Sequence, residues 1–290
     1  MIQDSLARYA PKDSLHSHAC AATLRYKLHF ADASTTYHMP RPGQLRIVVT
    51  VREPQDSARV KYRHAPLDTT NGRPEWSEVR DLIKKSPGVF ETASRSFFLG
   101  GPGNPPPRYQ NAADSTTAMR TAAWLRSKHT QSDLDTALHV AAHSANMYDR
   151  MIAVLLLANF PEQDAAWYGL VDALLESDGF PKVYASSVLT TLATRSTRLI
   201  DWRPREAVLH AILDGTSLFV APAVMDMLVR TGVGPANSSG LLRDGGSLLL
   251  EYVASGTPLL SYRSHELLVK LRGHDLGTSV ASWREWMAGL

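Results

Sequence analysis

The sequence predicts a mostly α-helical protein, an α-solenoid of about four helical hairpins behind a small α+β domain with an antiparallel sheet. Three observations predict it. Apolar doublets recur through the second half at intervals of 34, 36 and 43 residues. Segments of the first half alternate polar and apolar side chains with period two. Between the halves lies "GGPGNPPPR", 100–108, whose three glycines and four prolines suit neither a helix nor a central strand.

The front segments come first. In "TLRYKLHF", 23–30, Leu24, Tyr26, Leu28 and Phe30 share one side, and Thr23, Arg25, Lys27 and His29 the other. That is the pattern of a half-buried strand. "LRIVVTVRE", 45–53, repeats it with Leu45, Ile47, Val49 and Val51, and "ARVKYR", 58–63, with Val60 and Tyr62. "PQDS" between the last two is turn chemistry, so a hairpin is expected there. The wet face of the sheet would carry Arg25, Lys27, Arg46, Arg52, Arg59 and Lys61. "PEWSEVRDLIKKS" reads as a short helix opened by Pro74, while "VFETASRSFFL" fits helix or strand. The expected organisation is a basic α+β domain over 1–99, a Gly/Pro-rich linker over 100–111 and a helical repeat domain over 112–290.

The repeat is carried by Val154, Leu155 and Ala158; Val188, Leu189 and Leu192; Val224, Met225 and Leu228; Leu267, Leu268 and Leu271. Another striped helix precedes each: "DLDTALHVAAH", "AAWYGLVDALLE", "PREAVLHAILD" and "GSLLLEYVA". In the last three pairs a glycine-bearing turn, "SDGFP", "DGTSLF" or "SGTPLL", separates the two helices, as a left-handed helix stop requires. "TGVGPANSSG", 231–240, reads as a loop inserted before the last pair. One such hairpin cannot bury its apolar faces alone, but stacked hairpins can.

Over roughly 131–290 the pairs resemble HEAT repeats. "MYDRMIAVLLLANF" looks like the second helix of such a repeat, with Asp149 and Arg150 at its start, and Arg263 takes the matching place in "YRSHELLVKL". The resemblance implies that Arg150 and Arg263 bond between neighbouring repeats. Ala185 and Pro222 interrupt that ladder in the second and third pairs. The Trp, Leu-Gly and Tyr spacing of tetratricopeptide repeats is missing. "LRGHDLGTSVASWREWMAGL" is similar to the tail that closes bacterial HEAT arrays, with Trp283 and Trp286 on a capping helix. HEAT arrays are mostly scaffolds, so the resemblance implies an architecture and no reaction.

Bulk composition narrows the classes further. Hydrophobic residues make up 44% and charged residues 20%, a globular composition. The longest apolar run, Met151 to Ala158, is too short to span a membrane. The opening "MIQDSLARYAPKDSLHSHACAA" predicts no secretory signal, which leaves a cytoplasmic default, or export if a signal was removed ahead of this numbering. Cys20 is the only cysteine, which excludes an internal disulfide and a cysteine zinc site. The net charge of +3 hides an asymmetry: 19 Lys and Arg against 11 Asp and Glu over 1–130, and 12 against 17 over 131–290.

Motifs that could carry chemistry are few. His139 and His143 have zinc-ligand spacing on a helix, but Val-Ala-Ala lies between them and no third ligand is nearby, so they read as a polar edge. His16 and His18, in "HSHAC" with Cys20, could touch a metal as a short tract, but near a terminus the two histidines read as solvated, and Cys20 reads as a small buried or half-buried residue. "GGPGNPPP" lacks the Gly-Lys-Ser/Thr ending of a phosphate loop, and no Gly-x-Ser-x-Gly nucleophile motif occurs. No catalytic, cofactor-binding or metal residue is therefore expected. Trp167 lies on the stripe of Leu170, Val171 and Leu174 and reads as packing. Trp202, in "DWRPRE", is the better candidate for an exposed partner contact, with Arg203 and Arg205. Arg25, Lys27, Arg59 and Lys61 could bind nucleic acid, although Tyr26 and Phe30 share the core side with Leu24 and Leu28. The expected function is a non-enzymatic scaffold for a protein or peptide partner, without a membrane span. Nucleic-acid binding and a non-catalytic subunit of an enzyme complex are the alternatives.

Overall fold

A computed structural model of the chain describes residues 28–41, 44–63, 68–99, 112–176, 180–196, 198–243 and 246–290. It is mostly helical, with one two-stranded antiparallel sheet. Strand β1 (Asp32–Arg41) pairs with β2 (Gln44–Arg52) in a register that sets Asp32 opposite Arg52 and His38 opposite Arg46. The helices are α1 (Ser77–Lys85), α2 (Pro87–Leu99), α3 (Ala112–Ser127), α4 (Gln131–His143), α5 (Met147–Leu156), α6 (Asp164–Ala173), α7 (Phe180–Arg195), α8 (Glu206–Leu213), α9 (Ala221–Arg230), α10 (Ser238–Leu242), α11 (Ser247–Ala254), α12 (Pro258–Arg272) and α13 (Val280–Ala288). No described helix is long and apolar enough to cross a membrane.

The chain divides into two compact units. One is Arg63–Arg205 with Arg230–Gly232. Here α4 and α5 form a helical hairpin, and α6 and α7 a second. The helices stack like on like, with α4 against α6 and α5 against α7. Chemistry at the helix starts sets their boundaries. Thr130 and Asp133 form a reciprocal capping box at α4, and the Asn146 side chain accepts from the Tyr148 and Asp149 amides at α5. From Met151 to Leu157 every residue is buried, so α5 is enclosed all round. Its covering comes partly from α1 and α3, which also pack on α5, while α2 packs on both α1 and α3. Phe90 of α2 meets Tyr184 of α7 edge to face, with ring centroids 5.8 Å apart. The segment "VFETASRSFFL" is therefore helical, and residues 77–99 share a core with the hairpins rather than with the strands.

The other unit is Met1–Tyr62, Glu206–Val229 and Val233–Leu290. The boundary expected at 100–111 lies outside the described residues. The two units divide the chain elsewhere: the sheet groups with α8–α13, and α1–α3 group with α4–α7. In this unit α8 packs on α10 and α11, and α11 packs on α12 and α13. Trp283 of α13 is fully buried and meets Trp286 of the same helix edge to face at 5.8 Å. Glycines at two of the expected turns adopt the expected positive φ: Gly215, between α8 and α9, at 109° and Gly256, between α11 and α12, at 63°.

The strand expectations need correction. Residues 23–27 lie outside the described residues, and Leu28, His29 and Phe30 are not in a strand. β2 is where "LRIVVTVRE" predicts it, but its partner is "DASTTYHMPR", which has no clean apolar alternation. "PQDS" opens a 3-10 turn, Pro54–Arg59, instead of a β-turn, so 58–63 forms no hairpin with β2. Pro54 sets the φ that starts a helical turn as readily as a β-turn. Arg52, expected on the wet face, is only 3% exposed and pairs with Glu251 at 3.1 Å. The expected loop 231–240 contains a 3-10 turn, Pro235–Asn237, and opens α10.

Candidate functional site

The Trp202 expectation is overturned. Trp202 is 1% exposed, and its Nε1 donates to Thr231 Oγ1 at 2.8 Å. Its ring meets Trp167 and Tyr168 edge on, at 6.4 and 6.1 Å. Surface contact at "DWRPRE" falls instead to the residues around it. Arg203 is exposed and pairs with Asp201 at 2.6 Å. Arg205 is half-buried, pairs with Asp172 at 2.9 Å and stacks 5.0 Å from the centre of the Tyr168 ring. The Tyr168 hydroxyl donates to the Asp201 carbonyl at 2.5 Å. Burial raises the Asp172 carboxyl above its ordinary range, although Arg205 pulls it down. Each charge here has a partner in the chain, so the patch is polar but internally satisfied.

The residues proposed for nucleic acid fare differently. Arg25 and Lys27 lie outside the described residues. Arg59 is held by three groups: it pairs with Asp214 at 3.0 Å and Glu251 at 3.6 Å, and donates to Ser247 Oγ. Lys61 is exposed, and its backbone amide donates to Thr216 Oγ1 at 3.0 Å. A guanidinium committed to two carboxylates offers little to a phosphate. The His139 and His143 rings are 4.9 Å apart, and among the described residues no group of three His, Cys, Asp or Glu could hold a metal. His16, His18 and Cys20 lie outside the described residues.

Two features escape a reading by local pattern. The first is a buried ion cluster that links the stacked hairpins of one unit. Arg150 of α5 donates from Nε and Nη2 to Glu176, both at 3.1 Å, and from Nη1 to the Ser144 carbonyl at 2.7 Å. Arg63 donates to the same Glu176 at 2.6 Å. Arg150 thus joins two successive hairpins, and Arg263 in the other unit donates to the Pro222 carbonyl at 3.3 Å. Neighbouring Asp149 is fully buried and accepts from Arg80 at 2.8 Å and from the Gly72 amide at 3.1 Å.

The second feature is a cleft of about 380 Å³ between α1 and α3. Val79 and Leu82 of α1 and Trp124 of α3 give it an apolar lining, and Glu75, Glu78, Asp81, Lys85 and Arg120 stand around it. Most of these charges are internally matched. Asp81 pairs with Lys85 at 3.2 Å. Glu75 lies 3.8 Å from Arg73 and 3.9 Å from Lys128, whose ammonium sits 5.2 Å from the Trp124 ring centre. Glu78 on one wall and Arg120 on the other have no ion pair among the described residues. The three-residue spacing of Glu75, Glu78 and Asp81 is visible in the sequence, but the opposing wall comes from a helix some 40 residues later. No protein-family model, curated protein or solved structure matches this chain.

Proposed function

We propose that the protein is a non-enzymatic scaffold that binds a protein or peptide partner on the surface of HEAT-like helical hairpins. The observation that carries this reading is the like-on-like stacking of α4/α5 on α6/α7, tied by the buried Arg150–Glu176 pair. Stacking of this kind holds its outward-facing side chains in fixed relative positions, which is what repeat scaffolds use for recognition. The surface also carries large apolar side chains: Met119 is 56% exposed on α3, Leu199 77% between α7 and α8, and Tyr262 64% on α12. The engagement of Arg59 by Asp214 and Glu251 weighs against the nucleic-acid alternative.

The test is photo-crosslinking in native extract. The full chain carries benzoylphenylalanine in turn at Met119, Leu199 and Tyr262. The expected result is a discrete protein adduct from at least one position, resistant to nuclease. Absence of a discrete adduct from all three would overturn the scaffold reading. An adduct lost on nuclease treatment would move the protein to the nucleic-acid class.

A further inference from the structure

We propose that the cleft between α1 and α3 seats a short partner segment in which one basic and one acidic residue flank an apolar side chain. This rests on the scaffold reading and gives the partner a chemistry. The volume, about 380 Å³, is at the small end of ligand cavities, roughly 300–1,000 Å³, so the occupant is a few side chains and not a whole helix. The lining calls for an apolar group: Val79 is buried, and Leu82 and Trp124 are half-buried, their remaining surface facing the cleft.

The charges set the rest. Asp81 and Lys85 neutralise each other, and Glu75 has Arg73 and Lys128 within 4 Å. What remains, among the described residues, is one spare carboxylate, Glu78 on α1, and one spare guanidinium, Arg120 on α3, on opposite walls. An occupant of a single sign is attracted by one wall and repelled by the other. An occupant with both signs, one on each side of its apolar group, is matched twice. The selectivity comes as much from the repulsion of the wrong pattern as from attraction of the right one.

The experiment uses the full chain labelled with ¹⁵N at the tryptophan indoles, with the Trp124 signal identified by its loss in Trp124→Phe. Three capped tripeptides are titrated: acetyl-Lys-Leu-Glu-amide, acetyl-Lys-Leu-Lys-amide and acetyl-Glu-Leu-Glu-amide. The expected result is a saturable shift of the Trp124 signal, with the mixed peptide binding about threefold tighter than either control, the scale of one exposed ion pair. Glu78→Gln relieves the handicap of the Glu-Leu-Glu peptide, and Arg120→Gln that of the Lys-Leu-Lys peptide. Both side chains are exposed, so the variants keep the fold, and circular dichroism checks it. No Trp124 shift, equal affinities for the three peptides, or a ranking unchanged in both variants would each overturn the proposal. If a crosslinked partner is still captured in such a case, the scaffold reading stands and only the charge pattern falls.

Discussion

Glu176 is the residue whose loss should be felt most. It is 3% exposed and accepts from two guanidinium groups, those of Arg150, itself 6% exposed, and Arg63. Glu176→Gln keeps the shape and removes the charge, which leaves Arg150 buried without a counter-ion. Breaking a buried pair in this way costs about 3–5 kcal/mol, because the desolvation of the remaining ion is no longer offset. For a unit of this size each kcal/mol moves the midpoint by about 2–4 °C, so the unit should melt on the order of 10 °C lower. Arg150→Met should cost less, since Glu176 keeps Arg63, a partner whose side chain is 25% exposed. The double variant Arg150→Met, Glu176→Leu should recover part of the Glu176→Gln loss, because the guanidinium left without a carboxylate is then only Arg63, 25% exposed, and no longer the buried Arg150. Urea unfolding followed by circular dichroism measures all three. A loss below about 1 kcal/mol for Glu176→Gln, or a double variant as unstable as the sum of the singles, would refute the claim that this cluster ties the hairpins.

Three further outcomes follow from single contacts. Trp202→Ala removes a buried ring and the donor to Thr231, so it should cost about 3–5 kcal/mol in urea unfolding, while Arg203→Ala, on the exposed pair, leaves the midpoint unchanged. Gly215→Ala places a methyl group against the Arg52 guanidinium at a φ of 109°, and should destabilise its unit by about 1–3 kcal/mol, read as a lower thermal midpoint. The Asp172 carboxyl, raised mainly by burial, should titrate above 3.8 by carboxyl ¹³C NMR, and Arg205→Met should raise it further by removing the opposing cation. A raised carboxyl binds its proton more tightly folded than unfolded. Its ionised form therefore opposes the fold above the folded pKa, and that penalty is relieved as pH falls through the folded pKa toward 3.8. Asp133 has the opposite sign. Burial alone would raise it, but hydrogen bonds from Thr130 and the nearby Arg73 hold it below 3.8, so its stabilisation is present above that pH and disappears in acid. Asp133→Asn should flatten the acid limb of the stability curve.

The helices were legible because burial of one face writes a 3.6-residue stripe into a stretch of chain that needs no distant information. That is how Val154–Leu155, Val188–Leu189, Val224–Met225 and Leu267–Leu268 announce their helices. Gly215 and Gly256 mark turns because only the local backbone decides where a positive φ is tolerated. β2 was legible for the same reason, through its period of two. Its partner was not: a polar, weakly patterned β1 pairs through backbone groups, which every sequence carries alike.

Charge followed the same division. That Arg52, Arg59 and Arg150 are basic is plain in the sequence, but whether each meets water or a carboxylate is settled by packing. Arg150 finds Glu176 over 26 positions, and Arg59 finds Asp214 over 155. Trp202 looked like surface in a polar stretch, and only the approach of Trp167 and Thr231 buries it. The sequence alone determined where the striped helices of the second half run, because their apolar spacing is an interaction within a turn or two of the chain. The tertiary structure alone decided which polar groups are consumed inside and which, like Glu78 and Arg120, have no ion pair among the described residues, because pairing in three dimensions depends on elements the local pattern does not contain.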